Sequence, residues 1–256
     1  MVSVYSVFND RLIEFPYNDG AAVNLLLQKS THDRRRNIVL LGLSLAVFFV
    51  MLVLVQDGMT QPVDEDILLS LRQDENLSQP RGPGWLLPIV LTVTHLGSGY
   101  ALTAIVLALT LLLLIRRRRR DALLFALTSM GGMLLLYAVK ALVVRPRPDM
   151  LPHLLSIGEY SFPSGHAMMT MLIFFLGAAL FLKQQQSVGK RTAILSVAVL
   201  LSVLIGLTRL YVGVHYPSDV TAGWSAGVAL ISAATLLDSS RRFFIRDSAR
   251  EDQSSV

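Results

Sequence analysis

The chain has 256 residues, of which 53% are hydrophobic and 16% charged, and its formal net charge is +5. This apolar, charge-poor composition excludes an ordinary soluble domain and indicates a membrane protein. The basic residues stand in short blocks beside apolar runs, so membrane orientation explains them better than binding of nucleic acid. Cysteine is absent, which excludes disulfides and thiolate metal sites.

Six apolar segments reach the length needed to cross a bilayer, about 17 to 20 residues for a hydrocarbon core about 30 Å thick. They predict an all-α integral membrane bundle over 38–237, with a cytoplasmic segment before it (1–37) and a polar cytoplasmic tail after it (238–256) that we expect to be disordered. The first segment lacks a small-residue cleavage pattern, so we expect a retained span and not a signal peptide. The predicted spans are 38–55, 99–115, 122–144, 166–182, 192–212 and 219–237.

Lysine and arginine near the span ends predict the orientation, because these residues are retained on the cytoplasmic side. With six spans, 17 of the 23 basic residues fall on the side that also holds both termini. The largest block is the run 116–120. We favour a bacterial inner membrane, with the other side facing the periplasm.

The first outer loop, residues 56–98, contains two segments with a pattern of their own. Residues 62–73 mix apolar and acidic side chains and predict an amphipathic helix lying at the membrane interface. Residues 85–96 are apolar but too few to cross a bilayer alone. The sequence leaves open whether they form a re-entrant segment or lengthen a neighbouring helix.

Ionisable side chains are few in the six spans, where each costs about 2.5 to 3.5 kcal/mol near a helix centre. The spans contain four such residues: Lys140, His166, Arg209 and Asp219. The alternating topology puts all four at the outer ends of their spans. A single Lys or Arg there would be explained by snorkelling to the lipid headgroups. Together with other cations of the same layer, they favour a pocket for an anion at the membrane surface.

Two motifs lie around the third and fourth spans. In the first, Lys140 is followed after six residues by Arg147 and a proline, which ends the helix and projects Arg147 from a loop. The second is Pro-Ser-Gly-His at 163–166. Here Ser164 is predicted to cap a helix whose first N–H groups, including that of Gly165, point at an anion such as phosphate.

A third motif joins the last two spans. Arg209 is followed by His215 and then, four residues later, by Asp219. Pro217 marks the start of the next helix, since proline is favoured in the first turn. One carboxylate is therefore expected to hold one imidazole.

Together the motifs resemble the signature of the type 2 phosphatidic acid phosphatase superfamily: Lys, six residues, Arg-Pro; Pro-Ser-Gly-His; and Ser-Arg, five residues, His, three residues, Asp. All three occur in order over 140–219, and the six-span layout extends the resemblance to about 38–237. One position departs, because Thr208 stands where the family usually has Ser, although the hydroxyl is kept. The resemblance implies a membrane lipid phosphatase that uses no metal or other cofactor.

The resemblance also implies a role for each motif residue. His215 attacks phosphorus to form a phosphohistidine, and Asp219 orients the attacking ring. His166 protonates the leaving oxygen and later activates water. The remaining five residues bind the phosphoryl oxygens and stabilise their charge as Mg²⁺ does elsewhere, namely Lys140, Arg147, Ser164, Gly165 and Arg209.

Several other polar residues have no motif role. His32 lies in the predicted cytoplasmic segment and His95 in the short apolar stretch. For His153 and Glu159 an ordinary polar role in the outer loop is favoured over contact with substrate. Whether Arg145 adds a phosphate contact is left open.

The expected substrate is a lipid phosphate or diphosphate whose tail stays in the bilayer. Undecaprenyl pyrophosphate, phosphatidylglycerophosphate and phosphatidate are candidates that the sequence does not rank. A phosphotransferase using the same histidine is the nearest alternative, while haloperoxidases, which share this pocket as a vanadate site, are soluble. A non-enzymatic transporter or anion-binding scaffold is disfavoured, because conduction needs charges deep in the spans.

Overall fold

The computed structural model describes the backbone of residues 4–8, 11–15, 20–151, 158–185 and 187–251, and the side chains of 33–151, 158–183, 185 and 187–238. Within these ranges the chain is mainly helical, with eight α-helices. They are α1 (Gly20–Gln56), α2 (Gln61–Ser70), α3 (Leu86–His95), α4 (Gly99–Ile115), α5 (Arg119–Val143), α6 (Gly165–Phe181), α7 (Val188–Tyr211) and α8 (Pro217–Glu251).

Two small antiparallel hairpins and one short 3-10 helix complete the described structure. Strands β1 (Val4–Phe8) and β2 (Arg11–Phe15) pair with Val4 opposite Phe15. Strands β3 (Arg72–Gln73) and β4 (Asn76–Pro80) follow α2 and pair with Arg72 opposite Pro80. The 3-10 helix, Leu182–Gln184, ends α6.

Each of the six predicted spans corresponds to one helix, which confirms their helical character. Among the described residues, α1 from Asp33, α5, α7 and α8 up to Asp238 are each long and apolar enough to cross a membrane. Helices α3 and α4 meet the same test together, although their axes are bent by 47° at the break between them. Helix α6 is apolar but has 17 residues, so by length and composition the structure has four or five membrane spans.

Helix α6 forms the centre of the bundle. It packs against α4, α5, α7 and α8, and most of its side chains are buried, as a helix that is apolar on every side requires. The outer helices instead expose large apolar side chains: Leu43 on α1 is 61% exposed and Leu134 on α5 is 65% exposed. A face of this kind fits the hydrocarbon core of a bilayer.

Two predictions concern helices outside the spans. The prediction of a disordered tail after residue 238 is wrong, because α8 continues as a helix to Glu251. The predicted amphipathic helix over 62–73 is found as α2, and its apolar side chains divide between two environments: Val63 is 61% exposed. Leu68 is fully buried in a cluster with side chains of α7 and α8, because α2 packs onto the protein.

Candidate active site

The three motifs meet where α5 and α7 end and α6 and α8 begin, which we call the site end. Helix α5 ends at Val144, which adopts a left-handed conformation with φ of 52°, strained for a β-branched residue. This turn directs the next residues across the bundle. Lys140, half-buried in the last turn of α5, donates from Nζ to the backbone oxygen of Tyr160 at 2.7 Å.

Arg147 reaches the same region from the loop after α5, as predicted. Its Nε donates to the carbonyl of Gly158 at 2.5 Å, and its Nη1 donates to the carbonyl of Val214 at 2.7 Å. The same Nη1 lies 3.2 Å from Nε2 of His215. The first motif is thereby in direct contact with the third.

Ser164 precedes α6, but the prediction that its side chain caps the helix is wrong. Its Oγ makes no cap hydrogen bond, and within the described ranges this buried oxygen has no partner. The backbone N–H of Ser164 instead donates to the carbonyl of Asp219 at 2.9 Å, which ties α6 to α8. The hydroxyl of Ser164 is therefore without a partner directly beside the first N–H groups of α6, including that of Gly165, and such N–H groups favour an anion.

The third motif turns between α7 and α8. Gly213 permits the turn, because its φ of 75° is a left-handed conformation that favours glycine. A side chain would also clash there, since a Cβ would lie 2.5 Å from Nη2 of Arg72. His215 follows and is 2% exposed, and Asp219 in the first turn of α8 is fully buried. Nδ1 of His215 lies 3.4 Å from Oδ2 of Asp219, so the predicted pairing of imidazole and carboxylate is present.

These contacts favour one tautomer of the His215 ring. A guanidinium only donates hydrogen bonds, so Nε2 of a neutral ring beside Arg147 is placed to accept. The proton of that tautomer is on Nδ1, on the side of Asp219. Burial, with the positive charges of Arg147, Arg209 and Lys140, holds the pKa of His215 well below the usual 6.5. At neutral pH, Nε2 therefore has a lone pair available for attack on an electrophile.

His166 and Arg209 complete the set that the sequence predicts. His166 is half-buried in the first turn of α6, within electrostatic range of Arg209, His215 and Arg147. Arg209, in the last turn of α7, is 3% exposed, and its Nε is buried without a partner in the described parts of the chain. All eight predicted residues thus lie at the site end.

Three of the cations form no direct ion pair with a carboxylate of the described residues. Lys140 and Arg147 donate to backbone carbonyls and Arg209 to a hydroxyl, and none of them forms an ion pair with a described Asp or Glu. Burying unpaired positive charge is costly. The arrangement is accordingly suited to an anion with several oxygens, for which charge-assisted hydrogen bonds are strong.

Sequence reasoning missed the contribution of α3 to the site. Thr94 is buried, and its Oγ1 accepts a hydrogen bond from Nη1 of Arg209 at 2.8 Å. Beyond α3, a Cβ on Gly97 would lie 2.7 Å from Cδ2 of His166, so the bend between α3 and α4 rests on the His166 ring. Neither residue carries a local signal, since threonine and glycine are ordinary in an apolar helix and its bend.

Arg145 has a different place from the phosphate contact that the sequence left open. Its Nη1 donates to Oδ1 of Asp219 at 2.7 Å, and its Nη2 donates to Oδ2 of Asp64 at 2.9 Å. The guanidinium is therefore engaged by two carboxylates. The sequence does contain a signal for Asp64. It stands four residues before Leu68, so in a helix the two side chains share one face, and in α2 that face is buried.

Two glycines of α8 set the distance between the motifs. A Cβ on Gly223 would lie 2.6 Å from the carbonyl oxygen of Ser164, and one on Gly227 would lie 2.8 Å from that of Met168. This small-residue spacing lets α8 approach α6 closely, as in other membrane helix pairs. The close approach brings the start of α6, with His166, next to the start of α8, with Asp219.

Two of the remaining candidates, His95 and Glu159, lie within the described residues, and neither forms a hydrogen bond to a motif residue there. His95 is exposed, and its Nδ1 lies 2.5 Å from the carbonyl of Leu91. Glu159 is exposed. His153 and the side chain of His32 lie outside the described residues.

Comparisons with known proteins agree with this geometry. Residues 122–243 match the model of the PAP2 superfamily. The chain is 30% identical over 189 residues to phosphatidylglycerophosphatase B of Bacillus subtilis, which covers 73% of this chain and 89% of the relative. A shorter stretch of 69 residues, 27% of this chain and 29% of the relative, is 44% identical to an undecaprenyl-diphosphatase of Sulfolobus acidocaldarius.

Two crystal structures resemble the fold. The transmembrane PAP2 type phosphatidylglycerolphosphate phosphatase from Bacillus subtilis has a TM-score of 0.68 and 26% identity, covering 77% of this chain and 95% of that one. LpxE from Aquifex aeolicus has a TM-score of 0.50 and 27% identity, covering 62% and 90%.

A helical bundle with membrane spans, which carries buried cations and two histidines at one end and matches these relatives, defines the class as a membrane lipid phosphatase. The chain belongs to the PAP2 superfamily, as the sequence motifs predicted.

Proposed function

We propose that this lipid phosphatase hydrolyses a membrane lipid phosphate or diphosphate through a phosphohistidine on His215. The observation that carries the proposal is the group of cations without carboxylate partners around a buried, neutral imidazole. Lys140, Arg147 and Arg209 hold the phosphoryl oxygens. Ser164 and the N–H of Gly165 add hydrogen bonds to the same oxygens.

The first step transfers the phosphoryl group to the enzyme. Nε2 of His215 attacks phosphorus, and the bond from phosphorus to the lipid oxygen breaks with its electron pair on that oxygen. His166, which takes up a proton when the phosphate dianion offsets the nearby cations, donates this proton to the leaving oxygen. As Nε2 bonds to phosphorus, Arg147 turns its N–H from the ring to a phosphoryl oxygen, and the carboxylate of Asp219 stabilises the positive ring through the proton on Nδ1.

The second step returns the enzyme to its starting state. His166, now neutral, takes a proton from a water molecule, whose oxygen attacks phosphorus. The nitrogen–phosphorus bond breaks, and inorganic phosphate leaves with His215 neutral again. In both steps the three cations stabilise charge on the equatorial oxygens, which is the main requirement of phosphoryl transfer. The reaction so written requires no metal ion.

We also propose that the bundle crosses the membrane six times with the site end outside. Asp121 and Lys140 are 19 residues apart on α5, about 28 Å along a helix, which is close to the thickness of the hydrocarbon core. Helix α6 spans the same interval beside α5, since it starts in the site and its Leu180 carbonyl accepts from Arg118 at the other end of α5. The basic run 116–120 at that other end favours the cytoplasm for it, and a bacterial inner membrane for the protein.

The substrate class follows from the position of the site. A pocket at the headgroup layer reaches a phosphate whose lipid tail stays in the bilayer. The names of the relatives favour phosphatidylglycerophosphate and undecaprenyl pyrophosphate, and phosphatidate shares the same chemistry. Transfer of the phosphoryl group to another lipid or a sugar uses the same first step, so an acceptor requirement in the assay would identify a phosphotransferase.

The test is phosphate release from a panel of these lipids in detergent with EDTA, comparing wild type with His215→Ala. His32→Ala is the matched control, because the sequence assigns that histidine to the cytoplasmic side. We expect EDTA-resistant release by wild type and control that falls at least about 10³-fold in His215→Ala. Equal release by wild type and His215→Ala would contradict the mechanism and favour a site elsewhere.

A further inference from the structure

The buried face of α2 contacts the start of α8, far away in sequence. Asp64, in the first turn of α2, is 2% exposed. Its Oδ1 accepts the backbone N–H of Ser218 at 2.9 Å, and its Oδ2 accepts the Oγ–H of Ser218 at 2.5 Å. A carboxylate at the first N–H groups of a helix is favourable, so Asp64 fixes α2 to the N-terminus of α8.

Arg145 links this carboxylate to the one in the third motif. It is buried between Asp64 and Asp219, with its guanidinium carbon 4.1 Å from the centre of the Tyr216 ring. Its Nη1 also donates to Oγ of Ser218 at 2.7 Å. A planar guanidinium has its donors in a fixed fork, so two carboxylates and one aromatic face leave it little freedom.

The two oxygens of Asp219 have separate partners. Oδ1 accepts from Arg145, while Oδ2 accepts the backbone N–H of Tyr216 at 2.9 Å and faces Nδ1 of His215. A fully buried carboxylate needs such partners to keep its charge. The hydrogen bond from Arg145 thus determines which oxygen Asp219 offers to His215.

We propose that Asp64 and Arg145 are positioning residues: α2 holds Arg145 through Asp64, Arg145 fixes the orientation and negative charge of Asp219, and Asp219 orients His215. The inference rests on the role of His215 proposed above. The pair of His215 and Asp219 is thereby extended by Arg145 and Asp64 to a chain of four side chains. The two added residues, Arg145 and Asp64, are not assigned any contact with substrate. The positioning role also explains why Arg145, unlike Arg147, forms ion pairs with two carboxylates.

The test compares Asp64→Asn with Asp66→Asn, a control on the exposed face of the same helix. A misplaced nucleophile slows chemistry without weakening phosphate binding, so we expect kcat of Asp64→Asn to fall by about 10²-fold. Its KM and its inhibition by orthovanadate, a phosphate analogue, stay within about 2-fold of wild type, as for any change outside the binding contacts. Unchanged kcat, or a loss confined to KM, would overturn the inference.

A double variant separates positioning from general loss of structure. If Asp64 acts through Asp219, adding Asp64→Asn to Asp219→Asn costs little more than Asp219→Asn alone. Multiplied losses would show that Asp64 acts independently and would contradict the proposal. Should Asp64→Asn not fold, Ser218→Ala removes only the hydroxyl between Asp64 and Arg145 and is expected to lower kcat by about 10-fold.

A readout that needs no turnover keeps the inference separate from the proposed function. In detergent micelles, the imidazole ¹⁵N signals of His215 are assigned by their loss in His215→Asn. Wild type and Asp66→Asn should give the same signals for a neutral ring protonated on Nδ1, and Asp64→Asn should shift them. Identical spectra for wild type and Asp64→Asn would overturn the positioning role. Absence of lipid phosphate release by wild type would count against the proposed function alone.

Discussion

The two ends of the bundle handle buried charge in opposite ways. At the end away from the site, Asp121 is bonded by Arg118 and Lys183, and Lys183 also pairs with Asp238 at 3.3 Å. At the site end, Lys140, Arg147 and Arg209 meet carbonyls, a hydroxyl and an imidazole instead of carboxylates. In the first arrangement each of these cations has a carboxylate partner, and the ion pairs join α5 to α8. The second leaves three cations without a carboxylate partner among the described residues, which suits a bound anion and distinguishes a binding site from a structural one.

Among the variants that test this difference between the ends, the largest effect on activity is expected from a cation of the site end. Arg209→Gln removes a charge with an unused buried donor, and loss of one such donor to a transition state costs about 10² to 10³-fold in kcat. Arg119→Gln, an exposed residue of the opposite end, is the matched control. Phosphate release and orthovanadate inhibition measure both. Equal activity of the two variants would remove the distinction between the ends.

Helix spacing is the next most sensitive feature. Gly223→Ala puts a methyl group against the backbone of Ser164 and forces α8 away from α6, so we expect activity to fall by about 10²-fold through misplacement of His166 and Asp219. Gly131→Ala, on α5 with open space around it, should have no effect. Activity of Gly223→Ala equal to that of Gly131→Ala would mean that the close approach is unnecessary.

A smaller loss is expected at α3. Thr94→Val keeps the shape of the side chain but removes the hydrogen bond to Arg209, which is worth about 1.5 kcal/mol or roughly ten-fold in activity. Thr92→Val is the control, since Thr92 is exposed and bonds only the carbonyl of Pro88 on its own helix. If both variants match wild type in phosphate release, α3 does not support the site.

At the opposite end the expectation is reversed. Asp121→Asn leaves Arg118 without its charge partner and Lys183 with Asp238 alone, and should destabilise the fold by about 3 kcal/mol. The activity of the folded protein should stay within about 2-fold of wild type, because the change is some 28 Å along α5 from Lys140. Thermal unfolding in detergent and initial rates at low temperature measure the two quantities. A lost rate with unchanged stability would contradict the division of roles.

The sequence predicted the helices and the eight motif residues because both signals are local. Apolar length predicts a helix in the membrane, and the spacing of each motif places its residues near one helix end. The contacts that support the motifs are between distant parts of the chain. Asp64 and Arg145 are 81 residues apart, and Arg209 and Thr94 are 115 apart, so no local pattern links them. The prediction that Ser164 caps α6 was wrong, because a serine before a helix can either cap that helix or keep its hydroxyl free for a ligand.

The central claim is that His215 carries the phosphoryl group. The most direct test mixes enzyme with lipid carrying ³²P in its terminal phosphate and quenches within milliseconds. The account predicts labelled protein whose label survives alkali but not acid, maps to the peptide containing His215, and is absent in His215→Asn. Release of phosphate without any labelled protein, or label on another residue, would contradict it.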